Sequence, residues 1–276
     1  MARFVGVKAL LSIAIVVGLA PPARADVQSN PAFLGVEMPQ GGSGACPIER
    51  VTPDSAAAAA GVMTGDLVLA LDGEPTAGCD ELRARIVSHQ PGDTIHLEIL
   101  REGDRLTLHA TLLTRAEVLY REFVGRSLEP LELGVVDDRS TLQSEDLRGQ
   151  TTLLVWFDLQ HCAGCAGVIR TLAETIDSPR RAGPAPRALA ITYGTLDQID
   201  GFRSTLAFGM TLAVAPEPFF VRHALGENDR LYVMVLDAGG IVRFVAPIAP
   251  DSDDVEAAVD DVRAAIDQAE HARVRR

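Results

Sequence analysis

The sequence contains almost no lysine. Lys8 is the only one among 276 residues, so arginine carries nearly all of the positive charge, and the formal net charge is −13. A nucleic-acid-binding protein needs a basic patch on its surface, and this composition supplies none. We therefore expect no nucleic-acid partner. Hydrophobic residues make up 47% of the chain, which is enough to build cores of ordinary size.

The N-terminal hydrophobic run is too short to cross a bilayer comfortably, since a membrane span needs about 20 residues. The run covers Ala9–Ala20, with Arg3 and Lys8 before it and an A-x-A cleavage signal at residues 23–25 after it. This pattern predicts a signal peptide at residues 1–25, cleaved after Ala25. We expect the mature chain to be exported, to the periplasm, without a stable membrane span. An uncleaved membrane anchor is the alternative.

Cysteines are few but even in number. Cys46 and Cys79 lie in the first half of the chain, and Cys162 and Cys165 lie in the second. An even count in an exported chain is compatible with two disulfides. The sequence does not decide whether Cys46 and Cys79 are bonded, because a disulfide needs Cα atoms within about 7 Å and the sequence does not give that distance. The length of the mature chain suits two domains.

The first half of the chain, residues 32–114, has the pattern of short strands separated by turns. An Asp-Gly pair at residues 72–73 is a hairpin signal. Ile95, Leu97 and Ile99 alternate with polar residues, which is the period of a half-buried strand. Four segments of this half, taken together, resemble a bacterial PDZ domain: FLGV (33–36), VTPDSAAAAAGVMTGDLVLALDG (51–73), DELRARI (80–86) and PGDTIHLEILREG (91–103).

The PDZ resemblance implies a peptide-binding site. The loop whose backbone N–H groups capture the C-terminal carboxylate of a peptide would consist of Phe33, Leu34, Gly35 and Val36. The strand after this loop would pair with the peptide, and the following helix would form the other wall of the groove. Leu82 and Ile86 lie four residues apart on that helix, where they either line the groove or pack in the core.

The second half of the chain alternates strands and helices, after a short helical or irregular linker at residues 115–127. TTLLVWFD (151–158) is a near-continuous hydrophobic run, which is typical of a buried parallel strand. Val168, Leu172 and Ile176 then recur on one helical face. The pattern predicts an α/β domain with a mixed sheet over residues 128–270, so that the whole chain combines a β-rich module with an α/β domain.

The motif Cys162-x-x-Cys165 lies where a buried strand ends and a helix begins. Free backbone N–H groups and the positive end of the helix dipole stabilise a thiolate at such a position. Cys162 would attack the disulfide of a partner, and Cys165, one turn into the helix, would resolve the mixed disulfide. A structural disulfide is the alternative, although so small a loop contributes little through chain entropy.

Two segments of this half resemble the TlpA-like thioredoxin family: VGRSLEPLELGVVDDRSTLQSEDLRGQTTLLVWFDLQHCAGC (124–165) and VMVLDAGGIVRF (233–244). Members of that family are exported thiol–disulfide oxidoreductases, often reductants for cytochrome c maturation or metal-site assembly. The resemblance covers residues 124–269 and implies that Cys162 is the nucleophile and Cys165 the resolving thiol.

Two side chains beside the motif depart from the family pattern. His161 replaces the tryptophan that usually precedes the first cysteine, and Trp156 stands where many thioredoxins bury a carboxylate. His161 either stabilises the Cys162 thiolate as an imidazolium, joins the cysteines as a metal ligand, or lies on the loop without a role. Asp158 is a candidate proton relay.

The family's cis-proline is also missing. It normally docks the substrate chain and would fall at Leu231, but no proline occurs between Pro218 and Pro247. We predict an exported thiol–disulfide oxidoreductase, without cofactor or bound metal, whose PDZ-like module docks a protein partner or peptide C-terminus. The cysteine pair would exchange disulfides with an unidentified redox partner. The alternatives are a PDZ-based scaffold with a redox-inactive second domain, which the missing proline favours, and a metal (copper) delivery protein.

Overall fold

A computed structural model describes residues 31–160, 164–176, 185–200, 209–223, 225 and 230–274 of the protein. Within these residues the first half of the chain is β-rich. Its strands are β1 (Ala32–Phe33), β2 (Val36–Glu37), β3 (Cys46–Pro47), β4 (Arg50–Val51), β5 (Leu67–Leu71), β6 (Glu74–Pro75), β7 (Thr94–Arg101), β8 (Asp104–Thr111) and β9 (Leu113–Thr114), and its helices are α1 (Ala56–Ala60) and α2 (Cys79–Ser88). Strands β3, β5, β7 and β8 form an antiparallel sheet with β6 beside β5, whereas β1 pairs with β9 and β2 with β4.

The local patterns read from the sequence are confirmed in this module. Ile95, Leu97 and Ile99 are fully buried on one face of β7, because successive side chains of a strand point to opposite faces. The Asp-Gly pair at residues 72–73 joins β5 to β6 with positive φ at both positions, 52° and 80°. Two consecutive positive φ angles are typical of the tight turns that close hairpins.

The segment expected to be a linker begins with a helix, α3 (Arg115–Phe123), which both halves of the chain share. Thr114 and Glu117 form a capping box, in which each side chain accepts a hydrogen bond from the other residue's backbone N–H, so the helix starts directly after β9. Val118 packs in the core of the first half, while Leu119 and Phe123 pack in a core of the second half. The helix therefore connects the two halves through buried side chains.

The second half is a mixed α/β domain. Its strands are β10 (Glu132–Val135), β11 (Thr141–Gln143), β12 (Thr152–Trp156), β13 (Arg187–Tyr193), β14 (Thr211–Ala215), β15 (Leu231–Leu236) and β16 (Val242–Ile248), and its helices are α4 (Cys165–Ile176), α5 (Leu196–Asp200), α6 (Glu217–His223) and α7 (Val255–Val274). The seven strands form one sheet in the order β11-β10-β14-β13-β12-β15-β16. Strands β12, β13 and β14 are parallel, and the other pairs are antiparallel, as the predicted mixed sheet requires.

Strand β12 is buried on both faces of this sheet. Leu153 and Val155 belong to a core that includes residues of α4 and α7, whereas Leu154 and Trp156 belong to a second core that includes residues of α3 and α6. Helices on both sides of the strand explain its near-continuous hydrophobic sequence. The predicted inner face of α4 is buried as expected, at Val168, Leu172 and Ile176.

Candidate redox and peptide-binding sites

The junction between β12 and α4 carries the candidate redox site. Strand β12 ends at Trp156, and α4 begins at Cys165, whose side chain is 1% exposed and disulfide-bonded. The other two residues singled out here, His161 and Cys162, lie outside the described residues, so their roles stay predictions. The structure does show the position of Cys165. It lies at the N-terminus of a helix of 12 residues, where backbone N–H groups lack helical partners.

Asp158 is held in a fixed position just before this loop. Its side chain is buried, and its Oδ2 accepts a hydrogen bond of 2.8 Å from the hydroxyl of Tyr193 on β13. Its Oδ1 accepts a second one, also 2.8 Å, from the backbone N–H of Gln160. Burial, and then the hydrogen bond and charge of Asp158, raise the pKa of Tyr193 to about 12. Tyr193 therefore stays protonated and remains a donor to Asp158 throughout the physiological pH range.

Trp156, at the position where many thioredoxins bury a carboxylate, is a core residue. Its ring stacks on Phe219 with the ring centroids 5.0 Å apart, and it meets Phe220 edge-on at 5.6 Å. Its indole Nε1 has no hydrogen-bond partner within the described part of the chain. Packing explains this side chain, and a proton-relay role for Asp158 stays a prediction.

The predicted carboxylate-binding loop is anchored through its carbonyl groups. The carbonyl of Leu34 accepts a hydrogen bond of 2.8 Å from Ala57, and that of Gly35 accepts one of 2.9 Å from Thr52. In a planar trans peptide the N–H points opposite to the carbonyl, so the N–H groups of Gly35 and Val36 both point away from the 52–57 segment. Successive N–H groups that are left available in this way suit an anion such as a carboxylate.

Only glycine fits at the centre of this loop. Gly35 has a φ of +87°, and a Cβ there would lie 2.2 Å from Cβ of Ser55. The Ser55 side chain in turn caps α1 by accepting a hydrogen bond of 3.2 Å from the N–H of Ala58. Phe33, the first residue of the loop, pairs with Leu113 in the register of β1 and β9. The loop therefore has one conformation, which is fixed by the surrounding backbone.

The helix that would wall the groove buries the two residues singled out from the sequence. Leu82 and Ile86 are 0% and 5% exposed and pack in the module's core, which favours the core interpretation; a peptide contact for them stays a prediction. The neighbouring positions, Arg83 and Val87, face outward on the same helix. Arg83 Nη2 donates to the carbonyl of Met38 beyond β2 at 3.4 Å, and Val87 is 51% exposed. The sequence analysis did not name Arg83 and Val87 as candidates for the groove, because it followed the spacing of hydrophobic residues and Arg83 interrupts that pattern.

The bond between Cys46 and Cys79 is present in the structure, with the two Cα atoms 4.9 Å apart. It joins β3 to the first residue of α2, so it fixes the start of the groove helix against the sheet. Both sulfur-bearing side chains are buried in the core of the module. This pair therefore has a structural role, which the sequence left open.

A buried arginine connects the carboxylate-binding loop to the second domain. Arg115, the first residue of α3, is 6% exposed, and its guanidinium carbon lies 5.0 Å from the ring of Phe33 and 5.6 Å from the ring of Tyr232 on β15. Its Nη2 donates a hydrogen bond of 2.6 Å to the carbonyl of His223 at the end of α6. Cation–π contacts and a charge-assisted hydrogen bond at a desolvated site are each worth about 1–3 kcal/mol.

The carboxylate beside this arginine comes from the same helix. Glu122 is buried, and its Oε1 lies 2.5 Å from Nδ1 of His223. Nε2 of His223 lies 3.3 Å from Oε1 of Glu129, which also pairs with Arg222 at 3.0 Å. Sequence reasoning missed this junction, because its members come from separate parts of the chain. It keeps the two modules in contact through polar groups as well as through the hydrophobic residues of α3.

Comparison with known proteins identifies the family of the first module. The PDZ-domain family matches residues 32–112. The chain is 40% identical over 67 residues to the periplasmic pH-dependent serine endoprotease DegQ of Escherichia coli K12, covering 24% of this chain and 15% of that protein. It is 48% identical over 218 residues to "Putative zinc metalloprotease R01501" of Rhizobium meliloti, covering 74% of this chain and 54% of that protein. The chain thus spans about one seventh and about half of these two relatives.

Solved structures similar to the chain fall into the same two groups. A "putative protein disulfide isomerase" from Bacteroides thetaiotaomicron is 14% identical, with a TM-score of 0.43, covering 54% of this chain and 94% of that one. The HtrA3 PDZ domain bound to a phage-derived ligand is 22% identical, with a TM-score of 0.27, covering 30% of this chain and 86% of that one. The family match confirms the PDZ module, and the strand topology confirms the predicted α/β domain with a mixed sheet after it.

The sequence lacks the His-Glu-x-x-His motif by which many zinc metalloproteases hold their metal. Over the ranges that the structure describes, no group of three His, Cys, Asp or Glu side chains is arranged to hold a metal ion. In the same ranges no helix combines the length and hydrophobicity that a membrane span needs.

Proposed function

We propose that this protein is an exported thiol–disulfide oxidoreductase, similar to TlpA-like proteins, whose PDZ module docks a protein partner. The observation that carries the proposal is the spacing of Cys165 together with its setting: it follows Cys162 by three residues in the sequence and is buried at the first position of α4. A helix N-terminus favours thiolate, the reactive form of cysteine. Burial restricts Cys165 to an internal step, which is the role of a resolving thiol.

Each step of the exchange balances in atoms and electrons. The Cys162 thiolate attacks one sulfur of a partner's disulfide, forms a bond to it, and releases the partner's other sulfur as a thiolate, which takes up a proton. The Cys165 thiolate then attacks the Cys162 sulfur, which forms the Cys162–Cys165 disulfide and releases the partner's second sulfur as a thiol. Two electrons pass from the pair to the partner, and a dithiol reductant restores the pair by the reverse steps.

In this proposal Asp158 accepts the proton of the resolving thiol. Tyr193 and the Gln160 N–H hold its carboxylate before the loop, each at 2.8 Å. A general base has to be held within reach of the proton that it accepts, and a mobile carboxylate would not keep this geometry. Tyr193 is therefore a supporting residue for Asp158 in this proposal.

Docking by the PDZ module would raise the rate of exchange through effective concentration. A partner whose C-terminal carboxylate binds at the Gly35 and Val36 N–H groups stays attached while its disulfide meets the cysteine pair. A second binding event within one complex behaves as an intramolecular reaction, with an effective concentration that reaches the millimolar range for short connections. The shared helix α3 supports this coupling, because it holds the two modules in contact.

Trapping the mixed disulfide tests the redox proposal. With the full chain carrying Cys165→Ser, we expect glutathione disulfide to form a stable adduct at Cys162, because the resolving thiol is gone. The matched variant Cys162→Ser leaves only the buried Cys165, and we expect its adduct to form at least ten times more slowly. Peptide mass spectrometry locates the adduct. Adducts forming equally slowly in both variants, no faster than in urea-unfolded protein, would count against an oxidoreductase.

A disulfide-containing peptide tests the docking proposal. We would compare one peptide with a free C-terminal carboxylate and the same peptide as a C-terminal amide, and follow its reduction by the reduced full chain. The carboxylate form should react at least tenfold faster at concentrations below its dissociation constant. Gly35→Ala should abolish the difference, because a Cβ at this position would lie 2.2 Å from Ser55 Cβ. Equal rates for the two peptides would refute docking through the carboxylate.

A PDZ-based scaffold with an inactive second domain is the second candidate. The observation that favours it is Leu231, which is fully buried and pairs with Ile248 at the position where the family has its substrate-docking proline. A protein that binds the peptide carboxylate but forms no glutathione adduct at Cys162 would have this function. Adduct formation at Cys162 excludes it.

A further inference from the structure

The loop between β16 and α7, residues 249–254, lies against the residue that precedes α4. Gly164, the residue before Cys165, packs closely against Pro250. A Cβ added to Gly164 would lie 2.6 Å from Cβ of Pro250. The same Cβ would lie 3.3 Å from Oδ1 of Asp251. Real Cβ atoms do not approach a packed ring at the first of these distances, so the second middle residue of Cys-x-x-Cys has to be glycine in this chain.

The contact places a carboxylate at the start of α4. Asp251 is exposed, and its oxygen lies beside the last residue before the helix. The N-terminus of a helix carries about half a positive charge, which by itself stabilises a thiolate. A full negative charge at the same end opposes that effect. Solvent screening reduces the carboxylate's effect without changing its sign.

We propose that Asp251 and Pro250 are positioning residues of the redox pair, which set it to donate electrons to a partner's disulfide. The inference rests on the proposed function and deepens it by naming side chains of this chain that favour electron donation by the pair. A thiolate exists only in the reduced form of the pair, so a charge that destabilises the thiolate destabilises the reduced form. The pair then becomes the more reducing partner. Strongly oxidising pairs have the opposite property, a stabilised reduced form.

The other charged groups around the start of α4 do not cancel this effect. Asp158, on the strand side, is a second carboxylate, and Tyr193 beside it stays neutral. The first turn of α4 contains no acidic residue, and its first basic residue, Arg170, lies more than a turn into the helix. Asp253 is exposed further along the 249–254 loop. Neither Asp158 nor Tyr193 therefore supplies a positive charge that would oppose the effect of Asp251.

The charge is tested with two isosteric variants of the full chain. Asp251→Asn should raise the equilibrium constant for reduction of the pair by glutathione about three- to tenfold at pH 8, which corresponds to about 14–30 mV. The matched control is Asp253→Asn, which removes an exposed charge from the same loop and should change the constant by less than a factor of two. The effect of Asp251→Asn should shrink in 1 M salt, where the Debye length is about 3 Å.

The packing contact is tested with two glycines of the same helix end. Gly164→Ala should displace the Pro250 loop and slow the reaction of Cys162 with glutathione disulfide about tenfold. Gly167→Ala should leave that rate within a factor of two, because no atom lies within 4 Å of a Cβ at Gly167. The double variant Gly164→Ala with Pro250→Gly removes the opposing Cβ and should recover most of the rate.

The outcomes separate this inference from the proposed function. A wild-type pair that equilibrates with glutathione, together with an Asp251→Asn constant that is unchanged or lowered, would overturn the inference and leave the oxidoreductase intact. An equal effect of Asp253→Asn would overturn it as well, since the position of the charge would then be irrelevant. A wild-type pair that does not equilibrate with any thiol buffer would refute the proposed function itself.

Discussion

Two helices of this protein begin with a cysteine, and the two cysteines have different partners. Cys79 starts α2 and is bonded to Cys46 on β3, which lies 33 residues away in the sequence. Cys165 starts α4, and its predicted redox partner Cys162 precedes it by three residues in the sequence. Both side chains are almost fully buried, at 2% and 1% exposure. Neither burial nor a helix N-terminus therefore distinguishes a structural cysteine from a redox cysteine.

The length of the closed loop distinguishes them. A disulfide stabilises a fold mainly by restricting the unfolded chain, and the effect grows with the number of residues in the loop. The Cys46–Cys79 bond closes a long loop and joins a strand to a helix. A bond within Cys-x-x-Cys closes a loop of four residues, so opening it costs the fold much less. A pair with little structural role is free to alternate between disulfide and dithiol.

The two cysteine pairs should differ most in how much stability is lost when each pair is removed. Replacing Cys46 and Cys79 together by alanine should lower the free energy of unfolding of the PDZ module by about 3–4 kcal/mol. Replacing Cys162 and Cys165 together by serine should lower the stability of the second domain by less than half that amount while abolishing disulfide exchange. Urea denaturation followed by circular dichroism measures both. Similar losses of stability in the two double variants would show that the cysteine pairs do not differ in this way.

The junction between the modules should show a smaller effect. Arg115→Met removes the charge between Phe33 and Tyr232 and the hydrogen bond to His223, so we expect a loss of about 2–3 kcal/mol. We also expect two separate unfolding transitions, one seen by the fluorescence of Trp156 and one by peptide binding to the PDZ module. Arg121→Met, an exposed position on the same helix, is the control and should change neither. Unchanged and coincident transitions in Arg115→Met would refute the coupling through α3.

The smallest change in stability should come from removing the hydrogen bond that Tyr193 donates to Asp158. Tyr193→Phe removes one hydrogen bond to its carboxylate, which should cost about 1 kcal/mol of stability near pH 7. The pKa of Tyr193 is raised in the folded protein to about 12 by burial and by Asp158. The stability from this pair is therefore complete below the unfolded pKa of about 10 and is lost as the pH rises toward 12.

Urea denaturation at pH 7, 9 and 11 would show this pH dependence. The difference between wild type and Tyr193→Phe should be the same at pH 7 and 9 and smaller at pH 11. The same variant should slow the resolving step while leaving the attack by Cys162 unchanged, because Asp158 acts on the Cys165 proton in our account. A stability difference independent of pH would mean that Tyr193 contributes only by packing.

Local patterns in the sequence were enough to predict the elements that surround the sites. The alternation at Ile95, Leu97 and Ile99 and the helical face of Val168, Leu172 and Ile176 both appear as buried surfaces. These patterns are reliable because burial of one face is decided within a single strand or helix. The fold class followed from the order of such elements and from the family resemblance.

Contacts between distant parts of the chain could not be predicted. Asp158 meets Tyr193 because β12 and β13 are parallel neighbours, and Gly164 meets Pro250 because the β16–α7 loop crosses the end of the sheet. Such pairs depend on how the elements pack, which periodicity does not encode. On α2, hydrophobicity pointed to Leu82 and Ile86, which face inward, and so overlooked the outward residues.

The reduction potential of the Cys162–Cys165 pair decides whether this pair is catalytic or structural. The full chain would be equilibrated in graded thiol–disulfide buffers, quenched with acid, alkylated, and read by peptide mass spectrometry, with the Cys46–Cys79 bond as an internal reference. We predict a reversible transition between about −120 and −270 mV, toward the reducing end of the range of catalytic pairs. A pair that stays oxidised below about −300 mV, as structural disulfides do, would contradict the account.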